Sequence, residues 1–132
     1  MKARIFHNPK KKWAAPLSRE ISAFLGKGGI AKAGKKADFT IIVGGDGTIL
    51  YYRDKLEGPV LGIGSDKSFI CQCTRENWKD ALPAFLSKPS YEERIMLQVI
   101  AGKRKFTALN DVAILSREHE VLTISVDIGQ DR

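Results

Sequence analysis

Apolar and polar positions follow two different rhythms in this chain, and the rhythm changes near residues 88–93. Ala3–Phe6 is a short run rich in apolar residues ended by Asn8-Pro9, which predicts a strand entering a loop. Leu17, Ile21, Phe24 and Leu25 fall on one helical stripe closed by Gly26. Residues 28–36 are rich in glycine and lysine and carry no clear pattern. Phe39-Thr40-Ile41-Ile42-Val43 is a continuous run suited to a strand buried on both faces. The Gly44-Gly45-Asp46-Gly47 turn breaks it, and Thr48 to Leu56 reads as a helix. Val60-Leu61-Gly62-Ile63 predicts another buried strand. Trp78, Leu82, Phe85 and Leu86 repeat the helical stripe, with Thr74 as the expected N-cap and Pro83 as an expected kink.

Strands alternating with helices up to Ser87 imply an α/β fold: a Rossmann-like parallel sheet with flanking helices. After Pro89 the period becomes two. Ile95, Leu97, Val99 and Ala101 alternate, Gly102-Lys103 makes a turn, Phe106 to Leu115 reads as a second strand, and Leu122, Ile124, Val126 and Ile128 as a third. Three strands on short connections predict an antiparallel meander, which needs cover on its apolar face. The expected organisation is therefore an α/β domain over 1–90 and, over 91–132, the first antiparallel strands of an incomplete all-β second domain. The uncovered meander also predicts self-association into a homo-oligomer.

Composition narrows the class. The chain has 132 residues, 43% hydrophobic and 28% charged, enough for a core without disulfide staples. No apolar run approaches the ~20 residues of a membrane span and the N-terminus has no leader pattern, so a cytoplasmic location with no membrane partner is expected. The net charge of +7 is unevenly spread. Residues 1–36 hold ten basic residues against Glu20 alone, and the rest of the chain is slightly acidic. A positive field around Lys10, Lys11, Lys12, Lys32, Lys35 and Lys36 attracts anions. Aromatic stacking residues are not interleaved with these lysines, so no nucleic-acid partner is expected. Cys71 and Cys73, one residue apart and far from His7 and His119, lack zinc-ligand spacing. They read as reduced thiols on opposite faces of a strand.

The stretch with the most chemistry is Gly44-Gly45-Asp46-Gly47-Thr48. Glycines at a strand-to-helix turn let phosphate oxygens approach backbone N–H groups. A carboxylate there sits at the carboxyl edge of the sheet, able to take a proton or hold a metal ion. The alternative is a tight turn with Asp46 as a helix N-cap. Neither a Walker-A loop nor a dinucleotide fingerprint is present, since no Gly-Lys-Ser/Thr occurs and Lys67 stands where Gly62-x-Gly64 would need its third glycine.

With these residues in view, the chain resembles the NAD kinase family, the ATP or polyphosphate:NAD 2′-phosphotransferases. The resemblance rests on Gly44–Thr48 followed by Ile49-Leu50, on Pro59–Ile63 leading to Phe69, on Glu93–Leu97, and on Ala108-Leu109-Asn110-Asp111-Val112. It implies that Asp46 is the catalytic base on the 2′-hydroxyl of NAD and that Gly44, Gly45, Gly47 and Thr48 shape the phosphate loop. It also implies that Asp46, Phe69, Asn110 and Asp111 meet NAD, and that magnesium or another divalent cation arrives on the phosphates of ATP or polyphosphate. Asn110 and Asp111 could instead satisfy a strand end, and Phe69 could be core.

Where the family has an asparagine and further glycines, this chain has Ser65, Asp66, Lys67 and Ser68, with Asp66 placing negative charge on the expected anion path. The family's later substrate motifs lie beyond the point matching Arg132, so the resemblance implies a truncated chain, inactive alone. The alternatives are a non-catalytic nucleotide- or polyphosphate-binding module and, with less support from Asn110-Asp111, a lipid-kinase-like half.

Overall fold

The run Phe39–Val43, apolar or β-branched throughout, forms the central strand of the molecule because both its faces find cover. In the computed structural model, residues 1–116, 121–127 and 129 are described. Five parallel strands make one sheet: β1 (Lys2–His7), β2 (Ala31–Lys32), β3 (Phe39–Val43), β4 (Val60–Gly64) and β5 (Cys73–Thr74), in the spatial order β2-β1-β3-β4-β5. β1 and β3 pair from Ala3↔Phe39 to His7↔Val43, and β3 and β4 from Thr40↔Val60 to Val43↔Ile63. Helix α1 (Ala14–Lys27) and helix α3 (Trp78–Ser87) cover one face, where Leu17, Ile21, Leu25, Trp78 and Leu82 pack on Phe39, Ile41, Val43, Leu61 and Ile63. On the opposite side of β3 lie the buried Thr40 and Ile42, with Ile49 of α2 (Asp46–Tyr52) buried as well. The Tyr52 ring of α2 stacks on Phe6 at 4.4 Å. Alternation along one strand thus feeds two layers.

Several expectations are corrected in detail. The patternless 28–36 segment contains β2, an edge strand of two residues held by the pairings Lys2↔Ala31 and Ala3↔Lys32. Helix α1 runs past Gly26 to Lys27, and Phe24 stays partly exposed, edge-on to Trp78 at 5.7 Å. Helix α2 begins at Asp46 and gives way at Arg53 to a short 3-10 turn, Arg53–Lys55. Thr74 does not cap α3. It ends β5, and its backbone N–H donates to Asn77 Oδ1 (2.8 Å), so Asn77 occupies the cap position instead. Cys73 lies in β5 but Cys71 lies in the preceding loop, so the two thiols do not share a strand. Strand alternation would in any case put positions two apart on the same face.

The second unit is smaller than the pattern predicts. β6 (Leu97–Ala101) and β7 (Arg104–Ala108) form an antiparallel hairpin around Gly102, whose φ of 59° suits the tight turn. Residues 121–127 form no strand, and Ile128 lies outside the described residues. A strand needs a ladder partner and a covered face. Here Leu97, Ile100, Phe106, Ile114, Leu115 and Val121 are all exposed. The Arg53 Nε–H donating to the Thr107 carbonyl (2.6 Å) is a polar link from this hairpin to the α/β unit. Among the described residues no helix is long and apolar enough to cross a membrane.

Candidate functional site

The strand order sets where a ligand can approach. Chain connections leave β1 toward β2 on one side and β3 toward β4 on the other, so the crevice between the carboxyl ends of β1 and β3 is a topological switch point. The loop after β1 carries Asn8 to Trp13, and the loop after β3 is Gly44-Gly45. These two loops are tied together. The Asn8 N–H donates to the Val43 carbonyl (2.9 Å) and Asn8 Nδ2 to Thr48 Oγ1 (3.1 Å), while the Gly44 N–H donates to the Ile63 carbonyl of β4 (2.9 Å). Gly44 has φ 151° and Gly45 φ 99°. A Cβ on Gly44 would stand 2.5 Å from Thr48 Oγ1 and 2.6 Å from Asn8 Cβ, so only glycine fits there.

Asp46 is the first residue of α2, and Gly45 holds the cap position, so the helix N-cap alternative for Asp46 does not hold. Its carboxylate is already in use. The backbone N–H groups of Phe69, Ile70 and Cys71 donate to it at 2.7, 3.0 and 3.2 Å. Partial burial pushes the Asp46 carboxyl upward, but those three N–H groups and the Cys71 thiol outweigh it and hold the group below its ordinary value of 3.8. It is therefore a carboxylate at neutral pH. The same contact raises its neighbour: burial first, then the hydrogen bond to Asp46 and its charge, push the Cys71 thiol up to about 12. Burial alone pushes Cys73 up to about 11.

The remaining expected residues are distributed as follows. Thr48 is buried, and its hydroxyl is bound to Asn8. Gly47 is exposed in the first turn of α2. Phe69 points its ring into solvent, 95% exposed, while its backbone serves Asp46. Asp66 and Lys67 are exposed in a turn closed by the Ser68 N–H donating to the Ser65 carbonyl (3.0 Å). Asn110 and Asp111 follow β7, exposed, and among the described residues no hydrogen bond joins them to the turn. The structure thus brings Gly44, Gly45, Asp46, Gly47, Thr48 and the Phe69 backbone together and leaves Asn110 and Asp111 apart.

Two groups at this edge were not singled out from sequence. Asn8 locks the two loops. Lys11 reaches over the turn, its Nζ 3.4 Å from where a Gly45 Cβ would be. Only the general positive field of residues 1–36 hinted at Lys11. Two surface grooves lie elsewhere, one of about 410 Å³ against α1 and β2 and another beside Glu57 and Arg4, and neither includes the turn. The turn lies at the carboxyl ends of the strands, the edge where parallel α/β sheets take ligands.

Fold and turn together define a doubly wound α/β domain whose ligand edge carries a glycine-rich loop with one ionised aspartate. No family model matches the chain. It is 33% identical over 101 residues to the NAD kinase of Methanothermobacter thermautotrophicus, a stretch covering 72% of this chain and 36% of that one. It is 30% identical over 117 residues to the NAD kinase of Nitratidesulfovibrio vulgaris, covering 78% of this chain and 40% of the relative. Its fold matches the crystal structure of an NAD kinase from Archaeoglobus fulgidus in complex with ATP, with a TM-score of 0.58 at 23% identity over 73% of this chain and 41% of that one. The chain is related to the NAD kinase family over about three quarters of its length, and spans little more than a third of the length of the curated relatives it matches.

Proposed function

We propose that this chain provides the N-terminal α/β part of an NAD kinase, transferring a phosphoryl group from ATP or polyphosphate to the 2′-hydroxyl of NAD. The observation that carries the reading is the ionised Asp46 on the Gly44–Thr48 turn at the switch point, in a chain 33% identical to an NAD kinase over 101 residues. In this reading the 2′-hydroxyl hydrogen-bonds Asp46 and gives it the proton. The hydroxyl oxygen forms a bond to the terminal phosphorus, and the bridging P–O bond breaks with its electrons leaving on the shortened donor. A loose phosphoryl-transfer transition state asks more for position than for basicity, so a carboxyl held below its ordinary value is adequate. A carboxylate offers about four acceptor sites. Three backbone N–H groups use most of them, so the bound hydroxyl takes the last or displaces the Phe69 N–H.

Gly44, Gly45 and Gly47 shape the donor's phosphate loop, while Thr48 acts from below through Asn8. Phe69, Asn110 and Asp111 approach NAD only when the second unit is completed and docked. Among the described residues no group of three or more His, Cys, Asp or Glu gathers. In this reading a divalent ion such as magnesium would arrive with the phosphates of the donor. Such an ion, when bound, neutralises charge building on the transferring group.

We also place a domain boundary near 90, with 91–132 as part of a β domain whose exposed apolar residues are covered by further β structure or by a second copy. A cytoplasmic location and the absence of membrane or nucleic-acid partners belong to the same reading. One observation favours a second reading, a non-catalytic polyphosphate-binding module: the Asp46 carboxylate already accepts three N–H groups from the 69–71 loop.

The deciding experiment is direct. The 132-residue chain is titrated with ATP and polyphosphate and assayed for NADP by a coupled dehydrogenase. Weak donor binding with little NADP is expected. Rapid NADP formation would overturn the partial-enzyme reading, and absence of any donor binding would overturn both readings.

A further inference from the structure

The loops after β1, β3 and β5 converge at one edge of the sheet, and each brings something to it: Lys11, Gly45 and Arg75 respectively. Lys11 is half-buried rather than waving in solvent. Its Nζ lies 5.6 Å from the centre of the Trp13 ring, and the Arg75 guanidinium carbon lies 5.8 Å from the same centre. One aromatic ring therefore anchors two cations, a cation–π arrangement that stiffens both side chains. Arg75 is paired with Glu76, whereas Lys11 forms no ion pair among the described residues. The one carboxylate on the turn, Asp46, is engaged by Phe69, Ile70 and Cys71 instead. The backbone at the turn holds Lys11 in range: the Lys11 N–H donates to the Asn8 carbonyl (3.2 Å) and the Ala14 N–H to the Lys11 carbonyl (2.9 Å). Gly45 is buried beneath two side chains: a Cβ on it would stand 3.2 Å from Ser68 Oγ and 3.4 Å from Lys11 Nζ, so the ammonium and a hydroxyl face the same point of the turn.

We propose that Lys11 positions the polyphosphate of the donor over the Gly44-Gly45 turn, with Arg75 supporting it across Trp13. The inference rests on the phosphoryl-transfer reading and deepens it by assigning a specificity residue. The chemistry recognised is a chain of linked phosphates, carried by a nucleoside triphosphate or by inorganic polyphosphate. A compact ammonium suits either source, because it meets phosphate oxygens as a point charge and makes no demand on the base.

The test uses the whole chain in calorimetric titrations with ATP, inorganic tripolyphosphate and AMP at about 50 mM and about 300 mM salt. Variants are Lys11→Met, Lys11→Gln, Lys11→Arg, and Lys36→Met as an exposed lysine of the same basic end. Lys11→Met and Lys11→Gln are expected to weaken both ATP and tripolyphosphate by ~10-fold or more, as loss of a charge-assisted phosphate contact does. Lys36→Met should change them less than about 2-fold, through screened long-range field only. Lys11→Arg should recover most of the affinity. Equal effects at Lys11 and Lys36 would overturn the assignment while leaving the functional reading standing. Loss of ATP binding with tripolyphosphate binding unchanged would show that Lys11 reads the nucleoside, which also overturns it. If the unmodified chain binds neither polyanion, the functional reading itself fails.

Discussion

Asp46→Asn is the substitution with the most decisive physical consequences. The wild-type carboxylate receives three backbone N–H groups from residues 23 to 25 positions ahead, so it staples the loop after β4 to the start of α2. Asparagine keeps one acceptor oxygen for Ile70 and Cys71 but turns an NH2 group toward the Phe69 N–H, donor against donor. One charge-assisted bond is lost and two become neutral. Bonds to a charged acceptor contribute about 1.5–3 kcal/mol and neutral ones about 0.5–1.5 kcal/mol. At the lower ends this comes to about 3.5 kcal/mol, and screening by the solvent that reaches the turn removes roughly half or more, leaving an expected loss of ~1–2 kcal/mol. At this chain length that is a fall of roughly 3–6 °C in midpoint.

The pH dependence has a definite sign. The folded carboxyl is held below 3.8, so its contribution is complete above the unfolded value and disappears as pH falls through the folded one. Urea denaturation of both proteins at about pH 7 and at successively lower pH should give the full difference at the first and a difference that shrinks steadily as the carboxyl is protonated below its unfolded value. Amide exchange at Phe69, Ile70 and Cys71 should quicken in the variant at neutral pH. A difference that persists undiminished in acid, or no difference at neutral pH, would refute the stapling argument.

Two further outcomes follow from buried groups. Thr40 is fully buried, its hydroxyl donating to the Glu57 carbonyl (2.7 Å) and accepting from the Glu57 N–H (3.1 Å), so Thr40→Val should cost about 1–3 kcal/mol in urea denaturation despite its matched shape. With Cys71 and Cys73 pushed up to about 12 and about 11, both thiols stay protonated at pH 8. Native chain should react slowly with a thiol reagent and promptly in denaturant, and Asp46→Asn should speed Cys71 by removing the neighbouring negative charge; prompt native labelling would contradict this.

Local pattern carried well where burial was nearly complete. Phe39–Val43 is a strand because five consecutive apolar or β-branched residues suit the middle of a parallel sheet, and the stripe Leu17, Ile21, Leu25 is a helix face for the same reason. It failed where a partner decides the state. β2 has only two residues and exists through its pairing with β1, which no window of residues 28–36 could announce. The alternation at 122–128 resembles a strand, yet residues 121–127 join no ladder among the described residues. Thr74 has good cap chemistry, but Asn77 stands at the cap position and its side chain accepts the Thr74 N–H.

The sequence alone determined the layer class, the glycine turn and the presence of one aspartate upon it, because glycine tolerance, strand burial and helical period are local properties of residues and their spacing. Which atoms surround that aspartate was decided only by tertiary structure. The amides of Phe69, Ile70 and Cys71, the tie from Asn8 to Thr48 and the ammonium of Lys11 above Gly45 all come from loops distant in sequence. They meet because parallel pairing of β1, β3 and β4 delivers their carboxyl ends to one edge, and hydrogen bonds and charge act over ångströms, whatever the separation along the chain.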